Sequence, residues 1–337
     1  MTVENRYLTD VETILSHRYD NGADLWATPD KRIIKGAPFS TLESVAYLLE
    51  LGMDPADPIM KEAAELILST WQPKGNYKVY PKGTVFPCQT VTVASVLCRM
   101  GYAADARLQK TFQHLLEIQY TDGGWRCNKF FFGRGPETEY SNPLPTLTAL
   151  DAFRFTDYMN NEPALDRAVD FLLEHWTIKK PIGPCHYGIG TLFMQAEYPF
   201  RNYNLFMYVY VLSFYDRAKK DPRFIEAFRA LESKTVNGQI PVERVVPRLA
   251  NLSFCKKGEI SDLATMRYRE IRENLGKFED VLKSDTLKPP ITKEKPLNTD
   301  DYVFEDEAVK AKQPSETFLT RYMKARESSR VTGPFPY

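Results

Sequence analysis

Three side chains that can ligate a metal or act as nucleophiles lie in two loops of the sequence. Cys127 follows a Gly-Gly-Trp turn, and Cys185 and His186 are adjacent in a later Gly/Pro-rich segment. Zinc takes thiolate and imidazole ligands, four in a structural site or three plus an open position for catalysis. Cys127, Cys185 and His186, with Cys88 as the candidate fourth ligand, therefore form a candidate zinc site. No Cys-x-x-Cys pair anchors it, and two adjacent ligands need a bent backbone.

The same residues allow a second interpretation, which is nucleophilic catalysis. Cys127 or Cys185 would attack a carbonyl if His186 served as the base and a carboxylate oriented it. In the simplest alternative the thiols have no chemical task, and Cys88 and Cys255 are small buried apolar side chains. The sequence leaves all three interpretations open.

A further polar group precedes a very apolar segment that begins at Tyr203. Backbone N–H groups at a helix start favour anions, and Arg201 would add a fixed charge beside them. Together with His186, Tyr187 and Asn202, these side chains are of the types that β-elimination of a uronate needs, namely a group that neutralises the carboxylate, a base and an acid. In the structural alternative, Arg201 and Asn202 cap the helix and bond loop carbonyls.

Several carboxylates could add an acid to the same region. Glu139 precedes a predicted helix, together with Glu137 and Asn142, and Glu43 lies inside another. A carboxylate held against an apolar wall can act as a general acid, because burial raises its pKa. Alternatively, Glu139 and Glu43 are solvated or paired with an arginine such as Arg134. Asp262 and Arg267 are candidates of the same kind, although an i, i+5 spacing does not place them on one helix face.

The helices that would position these residues repeat along the chain. Leu108, Phe112 and Leu115 share one helical face, and Gln119-Tyr-Thr-Asp-Gly-Gly-Trp125 follows them. A polar loop then leads to Asn142-Pro143, which opens a second helix because proline suits a first turn. Second helices are predicted to begin near residues 39, 87, 143, 202 and 261, a period of about 50 to 60 residues.

Each unit combines one amphipathic helix with one that is apolar on most sides and must be buried on most sides. This pattern predicts an all-α fold, an α/α toroid of about five helix pairs with the apolar helices in an inner ring, over residues 1–286. A linear solenoid is the alternative, because helical pairs also stack without closing. Prolines and charges dominate residues 287–337, which we expect to form an irregular C-terminal tail that wraps the toroid, stays loose or docks a partner.

The composition narrows the classes of function. With 337 residues, 43% of them hydrophobic, the chain can bury a large core. Lys and Arg total 44, as do Asp and Glu, which opposes nucleic-acid binding. The longest apolar stretch, Leu205 to Leu212, is too short to span a membrane, and no signal-peptide segment is present. The five cysteines do not suggest a disulfide framework, so we expect a soluble cytoplasmic protein. The sequence does not indicate its oligomeric state.

The motif Leu115-x-x-x-Gln119, followed by Gly123-x-Trp125, resembles the repeat of terpenoid cyclases and protein prenyltransferase β subunits. Pro87-Cys-Gln-Thr90 and Pro145-Thr-Leu-Thr148 are similar to the starts of their inner helices, and the resemblance covers about residues 10 to 285. In those proteins the Gln and Trp tie neighbouring units together after an outer helix. The resemblance implies an α/α toroid, but one fold hosts many chemistries.

The chain departs from the catalytic motifs of both groups. The Asp-x-Asp-Asp acid of squalene and hopene cyclases is absent from the repeats, and Thr299-Asp-Asp301 lies in the tail. The Asp-x-Cys zinc pair of prenyltransferases is also missing, because Asp122 stands five residues before Cys127. Polyene cyclisation and protein farnesylation are therefore not expected.

Aromatic residues indicate the kind of ligand. Such side chains grip isoprenoid chains or sugar faces, although stripes of them also form cores. The candidates are Phe130 to Phe132 in a loop and Tyr203, Phe206, Tyr210, Phe214 and Tyr215 near the fourth inner helix.

These observations lead us to predict an enzyme or enzyme-like protein, of transferase, cyclase or lyase type. It would bind an apolar, isoprenoid-like or aromatic molecule in a central cavity. A non-catalytic toroid that binds a ligand or a protein is the alternative, and a polysaccharide-lyase-like carbohydrate enzyme is the third. The predicted site residues are Cys127, Glu139, His186, Arg201 and Tyr203.

Overall fold

Helices form the regular structure of the computed structural model, which describes residues 4–127 and 135–276. Within these residues there are eleven α-helices and four short 3₁₀ helices, and the only β-type contacts are isolated bridges. The α-helices are α1 (Leu8–Ser16), α2 (Thr41–Glu50), α3 (Pro58–Leu68), α4 (Pro87–Arg99), α5 (Ala106–Glu117), α6 (Pro143–Phe153), α7 (Pro163–Ile178), α8 (Leu205–Leu212), α9 (Asp216–Lys219), α10 (Pro222–Glu232) and α11 (Asp262–Leu275). The predicted all-α class is confirmed.

Local sequence signals set where the helices begin. Proline occupies the first turn of α3, α4, α6, α7 and α10, where its missing N–H costs no hydrogen bond. Side-chain oxygens cap other starts: Ser40 accepts from the backbone N–H of Glu43, and Ser261 from that of Ala264. The predicted second helices correspond to α2, α4, α6, α8 and α11.

The helices differ in how much of their surface is buried. Every residue of α8, Leu205–Leu212, is buried. In α5 the buried residues are Leu108, Thr111, Phe112 and Leu115, which lie on one face. The contrast between an apolar and an amphipathic helix, read from the sequence, is therefore present in these two elements.

The five predicted second helices contact one another in chain order. Helix α2 packs on α4, α4 on α6, α6 on α8, and α8 on α11. Their neighbours add a second layer: α1 and α3 pack on α2, α5 packs on α4, α7 on α6, and α10 on α8. These five helices thus form one continuous series, with the other helices named here packed against it.

Side-chain contacts join the two ends of this series. The Arg267 Nη2 atom of α11 lies 3.0 Å from Oε2 of Glu50 in α2. The Asp10 carboxylate of α1 accepts hydrogen bonds from the backbone N–H and hydroxyl of Ser253, at 2.8 and 2.7 Å, and from the backbone N–H of Phe254 at 3.0 Å. Helix α1 and the 3₁₀ turn Ser253–Cys255, which precedes α11, are therefore held together.

The Gln-x-x-x-Gly-x-Trp motif fastens one unit to the next. Gln119 Nε2 donates to the carbonyl of Gly123 and to that of Ala164, the second residue of α7, both at 2.7 Å. Trp125 Nε1 donates to the Leu115 carbonyl at 2.9 Å. Gly123 has a φ of +89°, and a Cβ there would lie 2.4 Å from the Arg167 carbonyl oxygen, so no larger residue fits.

Of the helices in the described part of the chain, none combines the length and the hydropathy needed to cross a lipid bilayer. Phe130 to Phe132, the proposed boundary at residue 286 and the predicted tail lie outside the described residues.

Candidate functional site

A cavity of about 430 Å³ lies between α2, α4, α6 and α8 and is completed by the loop segments that hold Tyr187, Phe200 and Arg201. Its wall is mostly apolar and includes Val96 and Val211. A largely apolar hollow with a few polar groups is the usual form of a small-molecule site. We therefore treat this cavity as the candidate functional site.

One ion pair lies at the end of the cavity where the lining helices begin. Arg201 Nε donates to Oε1 of Glu43 at 2.7 Å, and Ser40 Oγ donates to Oε2 of Glu43 at 2.8 Å. The two charged side chains are 30% and 23% exposed. Burial opposes the charge of Arg201, but the Glu43 carboxylate outweighs it and raises the pKa of Arg201. We call Ser40, Glu43 and Arg201 the mouth cluster.

A larger group of charges lies at the opposite end, where α4 and α6 finish. Asp151 accepts hydrogen bonds from Ser95 Oγ at 2.6 Å and from Arg154 Nε at 2.8 Å, and Arg99 Nε is 3.9 Å from its Oδ2. Burial alone would raise the pKa of Asp151, but Arg154 and Arg99 lower it below its usual value. Asp151 is therefore ionised, and each of its two carboxylate oxygens already accepts a hydrogen bond.

Glu50 extends this group toward α11. Its Oε1 is 3.1 Å from Arg99 Nη1, and its Oε2 receives Arg267 Nη2 at 3.0 Å and the Tyr198 hydroxyl at 2.9 Å. Burial works against the charge, yet Arg267 and Arg99 together lower the pKa of Glu50. We call Glu50, Arg99, Asp151, Arg154 and Arg267 the floor cluster.

Two polar atoms on the cavity-lining residues lack a partner in the described part of the chain. These are the hydroxyl oxygen of Tyr47 and the Oε1 atom of Gln89, both buried. Burial raises the pKa of Tyr47, so its hydroxyl keeps the proton and is a donor. An unsatisfied buried group of this kind costs about 1–3 kcal/mol, which makes both atoms candidates for contact with a ligand.

Two of the predicted thiols come together. The thiols of Cys127 and Cys185 are hydrogen-bonded to each other, and the Cys185 backbone N–H donates to Oδ1 of Asn142 at 3.0 Å. This contact and burial raise the pKa of Cys185, and burial raises that of Cys88 to about 12. Protonated thiols are poor nucleophiles and poor metal ligands. In this arrangement both Cys88 and Cys185 are protonated thiols at neutral pH.

His186 does not join the two thiols. Its side chain is 41% exposed, and Nε2 lies 3.9 Å from Oε1 of Glu137. The described residues hold no group of three or more His, Cys, Asp or Glu side chains suited to a metal ion. Zinc ligation by Cys127, Cys185 and His186 stays a prediction without support from these contacts.

Two other predicted site residues lie away from the cavity lining. Tyr203 is buried, and its hydroxyl is 3.0 Å from Nδ1 of His175, whose Nε2 is 3.0 Å from the Lys180 carbonyl. Burial lowers the pKa of His175 to about 4, so the pair is neutral at pH 7. Glu139 lies 3.6 Å from Nη2 of Arg126, whereas its suggested partner Arg134 is outside the described residues.

Of the five predicted site residues, Arg201 alone is among the residues that line the cavity. Its expected roles were to cap the helix or to bind an anion, but the cap of α8 is Asn204 and Arg201 contacts Glu43. Asn202, its suggested partner in capping, donates instead to the Glu197 carboxylate. The set proposed for β-elimination is thus distributed over three environments, because His186 is on the surface and Tyr203 is in the core.

The expected aromatic lining differs from the observed one. Tyr203, Phe206, Tyr210 and Tyr215 are buried in the core of the protein. The aromatic residues on the cavity wall are Tyr47, Tyr187 and Phe200. The alternative interpretation of the stripe as core was therefore the correct one for these four residues.

Sequence reasoning missed the floor cluster, apart from Arg267. Glu50, Arg99 and Asp151 each lie within or at the end of a helix that is otherwise strongly apolar. Such a charge inside a segment that must be buried is itself a signal, because it needs an opposite charge nearby. That signal would have identified all three residues.

No model of a known protein family matches this chain, and no curated protein compared with it gives a match.

Proposed function

We propose that this chain is an α/α toroid that binds one small, largely apolar molecule in its central cavity. The observation that carries the proposal is the hollow of about 430 Å³ between α2, α4, α6 and α8. Cores are normally packed with few voids larger than a water molecule, so a hollow of this size between apolar helices needs an explanation. An isoprenoid-like or aromatic ligand would fill it.

The closed arrangement is supported by the order of the helix contacts. Helices α2, α4, α6, α8 and α11 touch in sequence, and Glu50 of α2 pairs with Arg267 of α11. In a linear solenoid each repeat contacts only its neighbours, so the first and last inner helices would be far apart. The Glu50–Arg267 pair favours the toroid.

The size and wall of the cavity support a small-molecule ligand. Sites for small molecules commonly measure about 300–1,000 Å³ and combine apolar walls with a few polar groups. Val96, Leu144 and Val211 supply apolar wall, while Arg201 and Gln89 supply polar groups.

A binding role has more support than a transferase, cyclase or lyase reaction. General acid–base catalysis needs a group that can give or take a proton. Glu43 already accepts from Arg201 and Ser40, and Asp151 from Ser95 and Arg154. We therefore favour the ligand-binding toroid, the alternative raised from the sequence, over catalysis.

The proposal is tested by filling the cavity. Ala46 lines it from α2, and Ala46→Trp would place an indole in the hollow. Met266 of α11 is 45% exposed, so Met266→Trp is a matched helix variant that leaves the cavity open. We expect farnesol or the uncharged dye Nile red to bind the wild type and Met266→Trp, measured by thermal shift and by dye fluorescence, but not Ala46→Trp. Equal binding to a folded Ala46→Trp variant would contradict the proposal.

A further inference from the structure

We propose that the cavity selects an uncharged apolar ligand carrying one hydroxyl group, and that it excludes diphosphates and carboxylates. This inference rests on the proposed function and specifies its ligand class. It differs from what the family resemblance suggests, since prenyl donors carry a diphosphate. Two independent features of the cavity support it: the balance of charge on its wall and the unpartnered polar atoms of Tyr47 and Gln89.

The charges on the cavity wall cancel. Four charged residues line it: Glu43, Arg99, Asp151 and Arg201. Arg201 is 2.7 Å from Glu43, so the mouth contributes no net charge. An anion entering here would have to compete with the Glu43 carboxylate for the same guanidinium, and like charges placed side by side repel.

The floor offers no better site for an anion. Arg99 is held between two carboxylates, at 3.1 Å from Glu50 and 3.9 Å from Asp151. Arg154 pairs with Asp151, and Arg267 lies between Glu50 and Glu270, so three carboxylates balance the three arginines of this region. Every arginine among the described lining residues thus has a carboxylate within 4.0 Å. A diphosphate would lose its water without gaining a cation in return.

The unpartnered atoms require a neutral hydrogen-bonding group. The Tyr47 hydroxyl can donate, and Gln89 Oε1 can only accept. A ligand hydroxyl both accepts and donates, so it has the chemistry to pair with either atom. A phosphate or carboxylate oxygen would serve Tyr47 but would face the Gln89 oxygen with a second acceptor.

Matched pairs of probes test the inference. Farnesol and farnesyl diphosphate share one hydrocarbon chain, and Nile red and its sulfonated form share one ring system. We expect the uncharged member of a pair to bind the wild type at least about tenfold more tightly by calorimetry or fluorescence titration. Tyr47→Phe should weaken farnesol about three- to tenfold and leave the hydrocarbon farnesene unaffected.

A charge variant tests the cause of the selectivity. Glu43→Gln removes the carboxylate that balances Arg201, so the preference for the uncharged member should fall by about tenfold or more. Glu232→Gln is the matched control, because Glu232 pairs with Arg272 at 2.6 Å outside the cavity. It should leave the preference unchanged.

The outcomes separate the two proposals. If a charged probe binds the wild type as tightly as its uncharged partner, and Ala46→Trp blocks both, the inference on charge is wrong while the binding function stands. An unchanged preference in Glu43→Gln would also overturn it. If no member of either pair binds in a manner that Ala46→Trp abolishes, the proposed function fails and this inference fails with it.

Discussion

The mouth and floor clusters both contain carboxylates paired with arginines. They differ in how many partners each carboxylate has and in how exposed it is. In the mouth cluster, Glu43 faces one arginine and one serine, and its side chain is 23% exposed. In the floor cluster, Glu50 and Asp151 are 7% and 6% exposed, and each contacts Arg99 together with a second arginine and a hydroxyl. Salt bridges near one cavity can therefore have different roles: the floor cluster holds helices together, whereas the mouth cluster stays partly open to water.

The largest effect is expected from removing a floor carboxylate. Glu50→Ala leaves Arg99 and Arg267 without their shared partner, and breaking a buried pair of this kind costs about 3–5 kcal/mol. The matched change at the mouth, Glu43→Ala, breaks a half-exposed pair and should cost about 1 kcal/mol or less. Urea denaturation of both variants measures the free energy of unfolding. Equal losses of unfolding free energy in the two variants would contradict the proposed difference between the clusters.

The second-largest effect is a pH dependence of the free energy of unfolding, which we expect from His175, near the mouth cluster. His175 contacts Tyr203, two residues after Arg201, and burial lowers its pKa from 6.5 to about 4. The unfolded chain therefore binds a proton more readily, and stability is lost as the pH falls from 6.5 toward 4, by about 2 kcal/mol at pH 5. His175→Gln should make the unfolding free energy flatter between pH 7 and pH 5.

The floor carboxylates titrate in a lower range. The pKa values of Glu50 and Asp151 are lowered in the folded state, so their contribution is present above the unfolded values of 4.5 and 3.8 and is lost only below them. Between pH 7 and pH 5 they should not contribute to the slope. A wild-type slope that persists unchanged in His175→Gln would show that another group titrates there.

The smallest effect on stability is expected from Tyr47, which lies on the cavity wall. The Tyr47 hydroxyl is buried without a partner, so Tyr47→Phe should raise the free energy of unfolding of the ligand-free protein by up to about 1 kcal/mol. Tyr208→Phe is the control, because the Tyr208 hydroxyl donates to the Leu172 carbonyl at 3.0 Å, and losing that bond should lower it by about 1 kcal/mol. Destabilisation by Tyr47→Phe would mean that its hydroxyl has a partner.

The parts of the fold that could be predicted are those set by local sequence. Pro87 and Pro143 open α4 and α6 where the sequence placed them, because a proline ring is compatible only with the first turn of a helix. Gln119 and Trp125 were also predicted to connect neighbouring helices. Gln119 does so by donating to α7, whereas Trp125 donates to Leu115, ten residues earlier.

The candidate site was harder to predict because its contacts are distant in sequence. Glu43 and Arg201 are 158 residues apart, and only the packing of α2 near α8 brings them together. Tyr203 has the chemistry of a site residue, but its neighbour His175 in α7 holds it in the core. Cys127 and Cys185 were grouped with His186 as metal ligands, but His186 lies apart from the two thiols, and the contact with Cys127 and burial, which raise the pKa of Cys185, depend on the complete fold.

The hydrogen bonds of Asp10 have a consequence for the order of events during synthesis. Its partner Ser253 follows 243 residues later in the chain. At about 5–20 residues per second, this aspartate waits about 12 to 50 seconds on the ribosome before that serine has been made. The first helix therefore cannot reach its final position until about three quarters of this chain has been made. Until then its buried face stays without the partner that it has in the folded protein.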